Sequence, residues 1–257
     1  MTIILGHRGA SADAPENSLA AFALARRQGA DGIELDVRCT ADGVVVVHHD
    51  ATWGRSPAAV GLREGEAVAA TDAADRPHGV PLLAEVLELA GRWPGAVLNV
   101  ELKHEDGHGA APGRSLRRDA PGADPIGELV GAVRRSLTGS AVVAQVLLSS
   151  FDAAVVAEAV RTMPAVPVGR LLAAPAAATV DLAALAGAGC ASVHPGAAAV
   201  DEAFVRRAHS AGLAVHAWTV DDPAEVVRLA RLGVDGVITN VPAVAVAALR
   251  DAGLRPG

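Results

Sequence analysis

Ala214-Val-His-Ala-Trp-Thr-Val-Asp-Asp-Pro-Ala-Glu-Val-Val-Arg-Leu-Ala-Arg-Leu-Gly-Val-Asp-Gly-Val-Ile-Thr-Asn240 reads as one complete strand, helix and strand. The β-branched run at 214–220 is followed by Asp222, placed to cap a helix, and by Pro223 in its first turn. Gly233 stands where a helix-closing glycine is wanted, and a second short strand follows at 236–240. A helix between two strands is a crossover connection, so the strands are expected to be parallel.

Working outward, the same unit recurs along the chain. Strands are predicted at 2–7, 32–37, 97–103, 142–149, 168–172, 191–194, 214–220 and 236–240. Helices are predicted near 17–28, 81–92, 126–136, 152–163, 179–187, 201–211, 222–232 and 242–252. Asp152, Asp181 and Asp201 repeat the cap of Asp222, and Gly29 and Gly212 repeat the stop of Gly233. Eight such units in 257 residues predict an α/β protein built as a TIM (β/α)8 barrel, one domain spanning 1–257. Chemistry in that fold gathers at the C-terminal ends of the strands. The rival, an open doubly wound sheet, lacks a G-x-G-x-x-G after its first strand. Two segments fall outside the repeat: a short hairpin insertion at 38–80 after the second strand, and a loop at 104–124, rich in Gly, Pro and charge, expected to be exposed.

Composition narrows the function classes. A net charge of −7 with no tyrosine argues against nucleic acid, which wants a basic stripe and stacking surfaces. Apolar runs are interrupted well short of the ~20 residues of a membrane span. A cytoplasmic protein with no stable membrane association is expected. Cys39 and Cys190 read as small core residues, not as a disulfide or metal pair.

The stretch Ile33-Glu-Leu-Asp-Val-Arg-Cys-Thr-Ala-Asp-Gly-Val-Val-Val-Val-His-His-Asp50 has two strand-like halves around Asp42-Gly43, a strong hairpin signal. With those two residues as the turn, Asp36 is expected opposite His49, and Glu34 shares the face of Asp36. Glu101 and Lys103 share a face at the end of the third barrel strand, and His7 and Arg8 end the first. Ionisable residues on faces that should be apolar have no packing rationale.

Glu34, Asp36 and Glu101 form a hard oxygen set suited to one divalent cation, Mg²⁺ or Ca²⁺. Arg8 and Lys103 beside it point to an anionic substrate, and phosphate fits. His7 and His49 are the proton carriers, one as base and one as acid. No serine or cysteine nucleophile with a histidine partner is visible.

His7-Arg8-Gly9, Pro15-Glu16-Asn17-Ser18, Glu34-x-Asp36, Asp42-Gly43, His49-Asp50 and Glu101-x-Lys103 together resemble the glycerophosphodiester phosphodiesterase family. The resemblance continues through Ser149-Ser-Phe151, Trp218-Thr-Val220 and 234–242. It implies hydrolysis of a small-molecule glycerophosphodiester to glycerol 3-phosphate and an alcohol, within glycerol and lipid metabolism. It also implies Glu34, Asp36 and Glu101 as metal ligands and His7 and His49 as the acid–base pair. In the family picture the substrate's own 2-hydroxyl attacks phosphorus, and water then opens the cyclic phosphate. The chain departs from the family in its short, Ala-rich 51–80, its long 104–124 loop, and Asn240 where the family more often has Asp. Alternatives are a related phosphodiesterase acting on lysophospholipid or sphingolipid head groups, and a barrel that binds phosphate esters without turnover.

Other polar residues have plainer readings. Trp218 is a candidate wall for the glycerol, Glu16 a partner for Arg8, and Asn17 a helix cap. His48 is expected to be structural or exposed, and His194 and His216 to be hydrogen-bonded barrel residues. His104 and His108 are assigned to the exposed loop, and His78 and His209 to the solvated surface.

Overall fold

The computed structural model describes residues 1–54, 66–104 and 124–256. The chain begins with β1 (Ile3–His7), α1 (Leu19–Arg27), β2 (Gly32–Cys39), β3 (Val45–Val47), α2 (Leu83–Ala90) and β4 (Val97–Leu102). It continues with α3 (Pro125–Leu137), β5 (Val146–Ser150), α4 (Ala153–Thr162), β6 (Val168–Leu172), α5 (Ala174–Thr179) and α6 (Leu182–Gly187). The final elements are β7 (Ser192–Pro195), α7 (Glu202–Ser210), β8 (Ala214–Ala217), α8 (Pro223–Leu232), β9 (Gly236–Thr239) and α9 (Pro242–Asp251).

The strands run in the order β1-β9-β8-β7-β6-β5-β4-β2-β3, and β1 also pairs with β2. That pairing closes eight parallel strands into a TIM barrel, while β3 lies antiparallel on β2 outside the ring. The expected fold is borne out. The core lies between strands and helices, filled mainly by Val, Leu, Ile and Ala, with Phe22 and Phe204 among its few rings. No described helix is long and apolar enough to cross a membrane.

Local signals act as their chemistry dictates. Asp152, Asp181, Asp201 and Asp222 each accept a hydrogen bond from a first-turn backbone N–H, and so does Asp124. Gly29, Gly212 and Gly233 take φ of 85°, 80° and 88° where the helices stop.

Several boundaries differ from the sequence reading. The helix expected at 179–187 is two short ones, α5 and α6, because Asp181 caps a new start by accepting from Ala184 N. Val143–Gln145 is a 3₁₀ turn, so β5 begins later than expected. Strand β8 stops at Ala217, and Trp218 continues it only as a single parallel bridge to Gly196, donating from its N to Pro195 O at 3.1 Å.

The hairpin register also differs. Val37 pairs with Val47, and His48 N donates to Asp36 O at 3.0 Å, so His48 and not His49 lies opposite Asp36. The loop has three residues, Ala41 to Gly43, closed by Thr40 N to Val44 O at 2.9 Å, with Gly43 at φ 78°. A left-handed residue at the third position is the rule for three-residue hairpin loops, and the extra residue moves the pairing by one. The described part of 38–80 has its own small core, in which Val46, Trp53, Val68 and Val80 are buried together. The 104–124 loop lies outside the described residues except for its two ends, and His108 lies outside them too.

Gly9 ties β1 to α1. It has φ 87°, and a Cβ there would sit 2.6 Å from the Ala21 carbonyl carbon. Gly9→Ala should therefore cost about 1–3 kcal/mol beyond any effect of Gly253→Ala. The latter is a fair control, with φ 69° and nothing within 4 Å. Urea unfolding of the two variants checks this, and equal destabilisation would contradict the packing role.

Candidate active site

Adjacent strand ends bring the acidic residues together. His7 of β1 is in register with Glu34 of β2, and Asp36 of β2 with Glu101 of β4. Oxygens of Glu34, Asp36 and Glu101 all lie within 4.8 Å of one another, and all three residues are buried.

Two cations are built into this cluster. The Arg8 backbone N–H donates to Glu34 Oε2 at 3.0 Å, while its guanidinium lies 3.0 Å from Asp36 Oδ2 and 2.9 Å from Glu16 Oε2. Lys103 Nζ lies 2.9 Å from Glu101 Oε1 and 3.7 Å from Asp36 Oδ1. The expected pairing of Glu16 with Arg8 is present. Asn17 does not cap α1, a role taken by Ser18, whose Oγ accepts from Ala21 N. Instead Asn17 Nδ2 donates to Asp36 Oδ2 at 2.9 Å, and Asn17 N donates to Arg8 O at 3.0 Å. Arg8 and Asn17 are the two described non-glycine residues with left-handed backbones, φ 54° and 55°. Such conformations are strained, and here both serve to aim polar groups at the acidic cluster.

The electrostatics follow from burial and these neighbours. Burial alone would raise Asp36, but Lys103, Arg8 and His49 outweigh it and hold the carboxyl below the usual range. Glu34 is pushed well up by burial and by the charges of Asp36 and Glu101. Glu101 is raised by burial to about 7 despite Lys103. A buried oxygen set of this kind, two members of which resist ionising next to a third, fits a divalent cation, whose charge would relieve the repulsion.

The two histidines have different partners. Asp221 accepts from Asn240 Nδ2 at 2.6 Å and from Asn240 N at 2.8 Å. A carboxylate accepts only, so the amide nitrogen faces Asp221 and Asn240 Oδ1 faces His7 Nδ1 at 2.7 Å. Ser11 Oγ donates to the same Oδ1. His7 Nδ1 is therefore the donor, and its Nε2, 3.9 Å from Glu34 Oε2, is free to accept a proton. Burial, then Arg8, lowers the His7 pKa, which favours this neutral form. His49 has a carboxylate partner instead, with Nδ1 2.7 Å from Asp50 Oδ1, and Arg38 Nε holds its carbonyl at 2.9 Å.

A cavity of about 300 Å³ opens at this cluster. His7, Arg8, Glu34, His49, Glu101 and Lys103 line its polar side, and Asp36 lies buried next to them. Phe151, Leu171, Trp218 and Ile238 add apolar surface to the lining. Trp218 is held by its Nε1 donating to His194 O at 2.7 Å and meets Phe151 edge to face, with centroids 5.3 Å apart.

His49 reaches the cavity although it is not opposite Asp36, because β3 ends at Val47 and the chain bends at His49. His48 is buried, with Nε2 3.0 Å from Thr52 O and its ring against Trp53. His194 and His216 sit inside the barrel with ring centroids 4.8 Å apart, and His194 Nε2 is 2.8 Å from Ser192 Oγ. Burial keeps both neutral, taking His216 down to about 4. His104 corrects its loop assignment: its side chain is buried and its Nδ1 lies 2.9 Å from Asp152 Oδ2 at the start of α4. His78 and His209 are exposed as expected. The roles of Asn17, Asp50 and Asp221 escaped the sequence reading. The unusual Asn240 was a visible signal whose meaning depended on its distant partners.

Comparison with known proteins identifies the family of the chain. A family model described as the Glycerophosphoryl diester phosphodiesterase family matches residues 7–244. A glycerophosphodiester phosphodiesterase of Caldanaerobacter subterraneus subsp. tengcongensis is 30% identical over 98% of this chain and 99% of its own. Among solved structures, an Oleispira antarctica phosphodiesterase in complex with the product sn-glycerol-3-phosphate is 25% identical, with TM-score 0.80 over 97% of each chain. A Thermotoga maritima glycerophosphodiester phosphodiesterase has TM-score 0.73 at 25% identity over 99% of each chain.

Because Glu34 and Glu101 hold protons more tightly in the folded protein, their contribution to stability is present at low pH. It is lost as pH rises through about 7 for Glu101. A divalent cation should offset that loss, so its stabilising effect, read as a rise in Tm over a chelated sample, should be larger near pH 8 than near pH 5. Equal rises at both would argue against this triad as the cation site.

Proposed function

The chain belongs to the glycerophosphoryl diester phosphodiesterase family, and we infer from its barrel-mouth site that it hydrolyses glycerophosphodiesters to glycerol 3-phosphate and an alcohol. The single observation that carries this reading is the convergence of two imidazoles, two fixed cations and two carboxylates on one cavity, with the third carboxylate, Asp36, buried against them. Phosphoryl transfer asks a protein mainly for positioning and charge stabilisation, and this site supplies both.

Glu34, Asp36 and Glu101 are the residues that would hold a divalent cation. Their all-oxygen chemistry favours Mg²⁺ or Ca²⁺, which supplies positive charge to neutralise the phosphate. Arg8 and Lys103 add fixed positive charge on the same side of the cavity. The orientation of His7 supports it as the base: with Nδ1 committed to Asn240, Nε2 takes the proton of the attacking hydroxyl. Burial lowers the His49 pKa, against which the charge of Asp36 and the Asp50 carboxylate on Nδ1 favour the protonated form, and a weakly held proton suits His49 to protonate the leaving alkoxide. The described lining contains no serine or cysteine. This supports attack by the substrate's own 2-hydroxyl, with a cyclic phosphate that water opens as the two histidines exchange roles. Trp218 and Phe151 form an apolar wall for carbon atoms of the substrate. The whole chain is read as one catalytic domain, with the 38–80 segment delivering His49. Both histidines reach the cavity, which counts against a barrel that binds phosphate esters without turnover.

Release of glycerol 3-phosphate from glycerophosphocholine and glycerophosphoethanolamine tests this directly. His7→Ala and His49→Ala should each lower kcat by roughly 10²–10⁴-fold while leaving Tm near the wild-type value. A near-normal kcat in either variant would show that histidine to be dispensable. Chelation should stop turnover, and added Mg²⁺ or Ca²⁺ should restore it; metal-independent activity would sink the carboxylate assignment.

A further inference from the structure

We propose that Asn99 reads the hydroxyl groups of the substrate's glycerol half, hydrogen-bonding them through both ends of its amide at the wall of the catalytic cavity. The proposal rests on the glycerophosphodiester reading and adds a residue that recognises the polyol.

Asn99 lies on β4, two positions before Glu101 and in register with Glu34. It is 1% exposed, yet it lines the cavity. Neither its Nδ2 nor its Oδ1 has a hydrogen-bond partner within the protein. Buried polar groups are nearly always satisfied, so an amide with both ends unpartnered and facing a cavity is a binding group for what enters there. Ser149, His194 and His216 also carry an unpartnered buried atom, but they do not line the cavity. Arg8 does line it, and its guanidinium is committed to Glu16 and Asp36. Among the described residues, Asn99 alone combines cavity contact with two unpartnered polar atoms.

The amide's chemistry selects the group it meets. One end donates and the other accepts. The phosphate oxygens of a phosphodiester accept only. A phosphate would satisfy Nδ2 and leave Oδ1 facing negative charge. A hydroxyl both donates and accepts, and the two hydroxyls of a glycerol phosphate match both ends. In the inferred reaction the glycerol half brings those hydroxyls on every substrate, whatever alcohol leaves. Asn99 therefore reads the part of the substrate that does not vary. A site built to hydrogen-bond a hydroxyl also rejects an analogue that lacks it, because its own buried groups are then left unpaired.

The test compares two ligands that share a phosphate and a three-carbon chain, glycerol 3-phosphate and propyl phosphate, by calorimetric titration with divalent cation present. Wild type should bind glycerol 3-phosphate at least about tenfold more tightly. In Asn99→Leu, close in shape but without the amide, the preference should fall to within about threefold, with propyl phosphate affinity and Tm unchanged. Asn99→Ala, which is smaller, repeats the measurement should leucine disturb the barrel. Wild type without the preference, a variant that keeps it, or a variant that loses both ligands equally would overturn the proposal. If wild type releases no glycerol 3-phosphate from any glycerophosphodiester, the functional reading falls and this proposal with it. Turnover with an unaltered preference in the variant overturns Asn99 alone.

Discussion

The mutual repulsion of three buried carboxylates is the constraint around which the site is organised. Glu34, Asp36 and Glu101 approach one another within 4.8 Å where water cannot screen them. Left alone, such a cluster would protonate or force the strand ends apart. The protein settles it unequally. Asp36, at the centre, is given Arg8, Lys103 and Asn17 and stays ionised. Glu34 and Glu101, on either side, are left with pKa values pushed upward. The cluster is thus only partly neutralised from within, and a divalent cation completes the balance.

Much of the surrounding architecture serves that arrangement. Arg8 can give its backbone N–H to Glu34 and its guanidinium to Asp36 because its backbone is left-handed, and the equally unusual Asn17 locks the turn from the other side. Gly9 lets that turn lie against α1, where any side chain would meet the backbone of Ala21. Strain is concentrated beside the chemistry, and the close-packed barrel holds it in place.

The two histidines come from different levels of the fold. His7 is part of the barrel, and its orientation is set through Asn240 and Asp221 by the opposite end of the chain. His49 comes from the appended hairpin, whose footing is a small separate core around Trp53 with His48 packed on it. Tandem histidines at 48 and 49 thus divide into one that anchors the segment and one that faces the cavity. A neutral amide stands behind one imidazole and a carboxylate behind the other, while burial lowers the pKa of both.

The fold and most of the site were legible in the sequence because they rest on local rules. Strand and helix periods, aspartate caps and closing glycines count residues along the chain, and they located all eight barrel strands. Alternation along a strand was enough to put Glu34 with Asp36 and Glu101 with Lys103. What the sequence left open depended on single backbone torsions or on distant partners. One extra loop residue, with Gly43 left-handed, moved the hairpin register, and a left-handed Asn17 turned an expected cap into a ligand of Asp36. His7 and Asn240 are separated by 233 positions, so only the closing of the barrel brings them to 2.7 Å and decides which imidazole nitrogen carries the proton. By itself the sequence determined which residues are candidates for the chemistry, since residue type and short spacing suffice for that. The tertiary structure decided how each is oriented, because orientation is set by hydrogen bonds between segments that meet only after the chain has folded.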